Sequence, residues 1–85
     1  MTEQEIFVRF ADLVERSSEI PASEVTREAD LADDLGIDSL SMVEIVVSAQ
    51  GAFNIEIPDE DLRDLKTVQD VVNYVQRVQR SSVSA

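Results

Sequence analysis

Apolar residues recur at helical spacing in three segments of the chain, and these segments predict its long helices. The first segment carries four apolar residues at steps of three and four, namely Ile6, Phe10, Leu13 and Val14. Thr2 and Glu5 before them have the form of a capping box, in which each side chain accepts a backbone N–H of the other. The pattern therefore predicts helix I from Thr2 to about Arg16.

Near the other end of the chain a stripe of valines predicts the last helix: Val68, Val71, Val72, Val75 and Val78. Thr67 is suited to cap this helix, and Asp70 falls in its first turn, where free N–H groups favour a carboxylate. We expect the helix to run through Arg80. The small polar residues 81–85, "SSVSA", predict a disordered tail, so the folded domain should comprise residues 1–80.

The middle segment, residues 39–53 with the sequence "SLSMVEIVVSAQGAF", carries apolar residues on two sides. Its β-branched residues favour a strand by propensity, but fifteen residues are long for a strand, so length favours a helix. At about 100° per residue, one side should face the core, with Met42, Ile45, Val46, Ala49 and Phe53. A second apolar stripe, Leu40, Val43 and Val47, lies on roughly the opposite side and requires a partner of its own, with Ser39 at one margin and Glu44 at the other.

Residues 17–38 connect the first two helices without any sustained period, although they include Pro21 and Gly36. A connection of this length usually indicates function or disorder. Scattered aliphatic residues argue against disorder, because they can hold a loop across a bundle: Ile20, Val25, Leu31, Leu35 and Ile37.

After Phe53, Pro58 and the acids that follow it predict a short helical turn from Asp59 to about Asp64, with Leu62 and Leu65 facing inward. The alternation in "NIEIP" leaves a short strand open, but no second strand is available to pair with it. The predicted fold is therefore all-α: a small four-helix bundle of three long helices and one short helix, with a long loop between helices I and II.

Composition and charge limit the possible partners. With 85 residues and no cysteine, the chain should form one small domain whose core depends on packing alone. Seven basic against eighteen acidic residues give a net charge of −11, which repels nucleic acid and anionic membranes and attracts basic proteins. The first residues lack the basic and apolar regions of a signal peptide. We expect a cytoplasmic monomer that binds neither nucleic acid nor membrane.

Catalytic and metal chemistry can be tested by elimination. Ser39 has no histidine to activate it, Lys66 is the only lysine, and "GIDSL" lacks the second glycine of a nucleophile elbow. A calcium loop with its glycine at Gly36 would need ligands at Leu31 and Met42, so the EF-hand spacing fails. A catalytic pair of carboxylates stays open, although so small a domain has little room for a cleft. We expect a protein that is not an enzyme and has no metal site.

A serine at a helix N-terminus can instead be modified, because the free N–H groups and the helix dipole favour an attached phosphate. The run "DDLGIDSLSMVEIV" resembles the modification site of acyl carrier proteins, and "IEIPDEDL" and "LKTVQDVVNYV" resemble the later helices of the same family. The resemblance implies 4′-phosphopantetheine on Ser39, transferred from coenzyme A by a phosphopantetheinyl transferase. The prosthetic group would supply the thiol that this cysteine-free chain lacks.

The resemblance also implies which residues meet partner proteins. Asp38 and Leu40 flank the modified serine and would face the transferase. The docking face would consist of Leu40, Val43, Glu44 and Val47, with Asp59, Glu60 and Asp64 of the third helix as further docking residues. The partners would be malonyl transacylase, ketoacyl synthases, reductases and a dehydratase of fatty acid synthesis. The segments look most like discrete carriers of actinobacterial fatty acid synthesis, and a discrete polyketide carrier is the alternative.

Plainer interpretations of these residues remain. Ser39 could serve only as an N-cap, Glu44 could be a solvated acid or the end of a capping box with Ser41, and the second apolar stripe could pack against the loop or the third helix. The acids of the third helix could form a solvated face. As a whole, the protein could instead be a calcium-binding module or a helical adaptor. Aliphatic residues such as Val46, Val72 and Val75 make a deformable cleft for acyl chains plausible.

Overall fold

The computed structural model describes the backbone of residues 2–83 and the side chains of residues 2–80. Four α-helices follow one another in this part of the chain: α1 (Glu3–Ser17), α2 (Ser39–Phe53), α3 (Asp59–Leu62) and α4 (Val68–Val83). One turn of 3-10 helix, Ala22–Glu24, interrupts the connection between α1 and α2. The predicted all-α fold, with three long helices, one short helix and a long first loop, is confirmed.

Local hydrogen bonds explain most of the helix boundaries. Thr2 Oγ1 accepts from the Glu5 N–H at 3.2 Å, and the Glu5 carboxylate accepts from the Thr2 N–H at 3.1 Å, so the predicted capping box of α1 is confirmed. Thr67 and Asp70 exchange the same pair of bonds at the start of α4, at 3.2 and 3.1 Å. α2 ends at Phe53, and Asn54 caps it in the left-handed conformation with φ of 56°.

Two predicted boundaries are wrong. The third helix ends at Leu62 instead of about Asp64, because the N–H groups of Asp64 and Leu65 bond three residues back, to Asp61 and Leu62, and form tight turns. The last helix continues to Val83, three residues past Arg80, since nothing in residues 81–83 breaks a helix. Residues 84 and 85 of the predicted tail lie outside the described residues.

The core lies where α1 packs against both α2 and α4. The side chains with least exposure come from these three helices and from the first loop: Phe10, Ile6, Leu31, Ile45, Val14, Val68, Val72 and Val75. On α2, Ile45, Ala49 and Phe53 are buried as expected, whereas Met42 and Val46 are half-buried and pack against the edge of the core. The side of α2 predicted to face inward is therefore the correct one.

The long first loop is ordered because it is bound to the start of α4. The N–H groups of Val68 and Gln69 donate to the carbonyls of Ala29 and Arg27 at 3.1 and 2.9 Å, and the Leu31 N–H donates to Lys66 at 2.8 Å. The first N–H groups of a helix have no partner inside it, so the loop supplies the acceptors that α4 needs. Apolar anchors complete the attachment, with Val25, Leu31 and Ile37 buried and Ile20 and Leu35 half-buried.

Arg27 joins this loop to two helices, a role that the sequence analysis did not identify. Its guanidinium donates to Glu3 at 2.7 Å and to Gln4 at 3.0 Å on α1, and to Gln69 at 3.3 Å on α4. It also lies 5.0 Å from the centre of the Phe7 ring. Gln69 donates to the same Glu3 oxygen at 2.9 Å. These hydrogen bonds, that of Gln69 first and that of Arg27 second, lower the pKa of Glu3.

We expect Arg27→Ala to lower the melting temperature by roughly 5 °C, because it removes three hydrogen bonds between the loop and the helices. Arg9→Ala is the control, since it removes the same charge from an exposed position of α1. The folded-state pKa of Glu3 lies below its ordinary value of 4.5, so the bonded carboxylate stabilises the fold above that pH. The deficit of Arg27→Ala in thermal melts should therefore shrink as the pH falls through the lowered pKa. Equal melting temperatures for the two variants would contradict this role.

The two glycines should respond in opposite directions to alanine. Gly51 lies within α2 with open space where a Cβ would project, so Gly51→Ala should stabilise the fold by about 0.5–1 kcal/mol. Gly36 has the same open space but a φ of +67°, so Gly36→Ala should destabilise it by about 1–2 kcal/mol. Chemical denaturation of both variants measures these changes. A destabilised Gly51→Ala would mean that the helix bends at this position.

Candidate functional site

Ser39 is the first residue of α2, and its side chain is exposed. The residue that caps the helix is Asp38, whose Oδ1 accepts from the Ser41 N–H at 2.8 Å. The interpretation of Ser39 as only an N-cap is therefore wrong. The Ser41 N–H lowers the pKa of Asp38, so this carboxylate is charged at neutral pH.

The chain reaches α2 through a tight turn that fixes where Ser39 lies. Gly36 adopts the left-handed conformation, and Ile37 after it is buried and donates its N–H to the Leu31 carbonyl at 3.0 Å. Because Ile37 is anchored in the core, the next residues, Asp38 and Ser39, emerge at the surface. The exposed serine thus lies at a helix terminus held by the loop.

The second apolar stripe of α2 faces solvent. Leu40 is 72% exposed, Val43 is 55% exposed and Val47 is 61% exposed. Each side chain is more than half exposed, so any packing of this stripe against the loop or the third helix covers the smaller part of each residue. Glu44 on the same helix is also exposed. We call Leu40, Val43 and Val47 the α2 stripe. Three large apolar side chains on successive turns of one surface helix are typical of an interaction site.

The acids of the third helix do not all share one environment. Asp59 and Glu60 in α3 and Asp64 just after it are exposed, as a docking role would require. Asp61 is half-buried and accepts a hydrogen bond from the Tyr74 hydroxyl at 2.7 Å. The predicted docking residues therefore lie on two separate elements. One is the exposed side of α2, and the other is residues 57–65, which we call the α3 segment.

A small apolar cavity lies beneath the opposite side of α2. Its lining includes Met42, Val46, Ile57 and Leu65, with no polar lining surface. The cavity volume that the centre of a water molecule can occupy is about 10 Å³, which is roughly enough for one water. Val46 lines this cavity as expected for a cleft, whereas Val72 and Val75, expected beside it, lie elsewhere in the core.

Two acidic side chains of the first loop accept hydrogen bonds from backbone N–H groups of the same loop. Asp30 Oδ1 accepts from the N–H groups of Ala32 and Asp33, both at 2.9 Å, and Asp34 Oδ2 accepts from the Asp30 N–H at 2.7 Å. Within the part of the chain that the structure describes, no three acidic side chains are grouped so as to hold a metal ion. Among residues 2–83, no helix is long and apolar enough to cross a membrane.

Sequence analysis missed Arg27 and Tyr74, two of the side chains that join separate elements of the bundle. A single arginine or tyrosine gives no local sign of a hydrogen-bond partner far along the chain. The single tyrosine within a valine-rich helix was the one available signal, since a buried tyrosine usually hydrogen-bonds through its hydroxyl.

Comparisons with known proteins agree with this geometry. The family pattern described as the phosphopantetheine attachment site matches residues 8–75, which include all of α2 and α3, most of α1 and the first half of α4. An acyl carrier protein of Thermobifida fusca is 55% identical over 76 residues, which cover 89% of this chain and 96% of that protein. An acyl carrier protein of Rhodococcus erythropolis is 43% identical over 84 residues, covering 99% of this chain and 92% of that protein.

One further relative is named for the pathway in which it acts, and another has a solved structure. The meromycolate extension acyl carrier protein of Mycobacterium tuberculosis strain H37Rv is 45% identical over 85 residues, all of this chain and 74% of that protein. The solved acyl carrier protein of Enterococcus faecalis superimposes with a TM-score of 0.76 at 33% identity, covering 92% of this chain and 99% of the other.

The helical bundle and the match across most of the chain lead to one family. This chain belongs to the acyl carrier proteins: it carries acyl groups on covalently attached 4′-phosphopantetheine and is a carrier, not an enzyme.

Proposed function

We propose that Ser39 carries the 4′-phosphopantetheine, joined through a phosphodiester on its hydroxyl. The observation that carries this assignment is the exposed Ser39 at the first position of α2, with the cap provided by Asp38 instead. The free N–H groups and positive dipole end of the helix stabilise the added phosphate. The group supplies the thiol that holds the acyl chain, and this sequence has no cysteine of its own.

We propose that the chain delivers its acyl thioesters to separate enzymes of fatty acid biosynthesis in the cytoplasm, and that it acts as a monomer. Its partners would be a phosphopantetheinyl transferase, malonyl transacylase, ketoacyl synthases, reductases and a dehydratase. The mycobacterial relatives, named for meromycolate extension, support chain elongation of the fatty acid type. A discrete polyketide carrier is the second candidate, because the same arm and helix could serve either pathway.

The proposed docking surface is the α2 stripe with Glu44 at its margin. Val43 and Val47 follow Ser39 by about one and two helical turns, so the stripe begins beside the arm. Asp38 and Glu44 are the only carboxylates of this segment. Gln50, at a position where the family often has an acid, is half-buried and accepts the Ile57 N–H at 2.7 Å. Docking through α2 therefore depends on apolar contact more than on charge.

Asp38 and Leu40, on either side of Ser39, would contact the transferase, since both side chains are exposed next to the reacting hydroxyl. Asp59, Glu60 and Asp64 provide a second, acidic docking area for basic partner surfaces. Their exposure supports this role, and a carboxylate at the start of a short helix is also favoured by the local dipole.

We expect Ser39→Ala to abolish loading while leaving the fold intact, because Asp38 still caps α2. The chain is incubated with coenzyme A and a broad-specificity transferase, and intact mass is measured. Ser48→Ala, an exposed serine of the same helix, is the matched control and should gain one phosphopantetheine. A phosphopantetheine on the Ser39→Ala variant would refute the assignment.

The docking proposal predicts two different kinds of defect. Glu44→Lys should slow association with a ketoacyl synthase in a salt-dependent way, because a rim charge acts mainly on the encounter rate. Val43→Asp and Val47→Asp should instead speed dissociation at every ionic strength, since they place a charge in a desolvated apolar contact. Stopped-flow binding of holo variants that carry the same acyl chain measures both rates.

Far-UV circular dichroism of the three docking variants should match that of the unmodified sequence, because all three positions are exposed. Ser48→Ala serves again as the control for α2. If the three variants bind normally, docking through the α2 stripe is refuted, and Asp59→Lys then tests the acidic area of α3.

A further inference from the structure

The α3 segment is held to the rest of the protein by few contacts. α3 has four residues, none of them buried, and Pro58 before it provides no side-chain cap. On its inner side Leu62 and the following Leu65 are half-buried against the core. Such a short helix has almost no stability of its own, so its position depends on these side chains and on any bond to a neighbouring element.

Tyr74 of α4 supplies such a bond. Its hydroxyl donates to Asp61 Oδ2 of α3 at 2.7 Å and lies 3.4 Å from the Glu56 carbonyl. The ring is only 7% exposed, with the Arg77 guanidinium 5.3 Å from its centre. Burial and then the Asp61 carboxylate raise the pKa of Tyr74 to about 12, so the hydroxyl remains a donor at physiological pH.

The segment held by Tyr74 closes the apolar cavity beneath α2. Ile57, which precedes α3, and Leu65, which follows it, both line this cavity together with Met42. Met42 lies about one helical turn beyond Ser39, so the cavity is near the arm. The cavity has room for about one water, so its walls must move apart before an acyl chain can enter. We take residues 57–65, whose short helix has no buried residue, as the part that moves.

We propose that the hydrogen bond between Tyr74 and Asp61 is a latch on α3 that controls how readily an acyl chain enters this cavity. Tyr74 is a positioning residue that acts through Asp61. Without this hydrogen bond, the open conformation, in which the α3 segment has moved outward, is more populated. Less free energy is then needed to open the cavity when an acyl chain binds. The proposal relies on the proposed function only for the site of the arm, because the latch exists without it.

The first test uses the apo protein and therefore does not depend on Ser39. Tyr74→Phe removes only the hydroxyl, and Asp61→Ala removes only its acceptor. Asp64→Ala is the matched control, since it removes an exposed carboxylate that follows the same helix. We expect the protection factors of the Leu62 and Leu65 amides against hydrogen exchange, which correct for each variant's intrinsic rates, to fall about three- to tenfold in the first two variants, with no change in the control.

Two comparisons isolate the latch from a general loss of stability. The Phe10 amide in α1 should exchange at an unchanged rate, and the double variant Tyr74→Phe/Asp61→Ala should match the single variants, because both changes break one bond. Unchanged exchange in Tyr74→Phe and Asp61→Ala, or equal acceleration in Asp64→Ala, would overturn the latch.

The second test loads the holo protein and its variants with an octanoyl chain and compares melting temperatures with and without the chain. The rise caused by the chain should be larger for Tyr74→Phe and Asp61→Ala than for Asp64→Ala or the unmodified sequence. Equal rises in all four proteins would overturn the role of the latch in chain entry. Failure of Ser39 to accept the arm would refute the proposed function instead, and the exchange result would stand.

Discussion

The attachment of the first loop to the start of α4 is the interaction on which the rest of this bundle depends. A loop of this length, between Ser17 and Ser39, would ordinarily be costly to order, and the first N–H groups of α4 would lack acceptors. Two backbone hydrogen bonds supply acceptors to Val68 and Gln69, and with a third from Leu31 to Lys66 they offset part of the ordering cost. Because Leu31 and Ile37 are buried in the same loop, the attachment also determines where α2 begins.

The geometry of Ser39 follows from that attachment. The chain enters α2 from a buried residue, turns at Asp38, and leaves the cap to that aspartate. A serine with no capping duty can carry a large group without loss of helix stability. The same helix buries one apolar side and exposes the other, so α2 stabilises the core and offers the α2 stripe next to Ser39. Exposed apolar side chains on successive turns of a surface helix are typical of an interaction site, which is why we propose the stripe for docking.

Charge and side-chain bonds divide the protein into firmly and loosely held parts. With a net charge of −11, repulsion is widespread, and Arg27 counters it where α1, the first loop and α4 meet. On the other side of α4, the α3 segment has Tyr74 as its main polar bond to a helix. The bundle therefore combines a firmly joined end with a short helix that has no buried residue. This arrangement suits a carrier that has to hold an apolar chain and release it.

The sequence by itself determined the features that arise within one or two helical turns. The capping box at Thr2, the cap at Thr67 and the two apolar sides of α2 all follow from spacing, because helical geometry brings residues three or four apart together. The motif around Ser39 likewise lies within one contiguous run and identified the family. The α4 boundary was missed because small polar residues do not by themselves end a helix.

Only the tertiary structure determined which residues distant in sequence meet. Arg27 reaches Gln69 across 42 positions and Tyr74 reaches Asp61 across 13, and no local pattern specifies either pair. Val46 lines the cavity while Val72 and Val75 do not, because that choice depends on how α2, α4 and residues 57–65 pack together. Periodicity gives the direction in which a side chain points from its own helix. What it meets there is set by the packing of whole elements, whose relative positions are not encoded in any single segment.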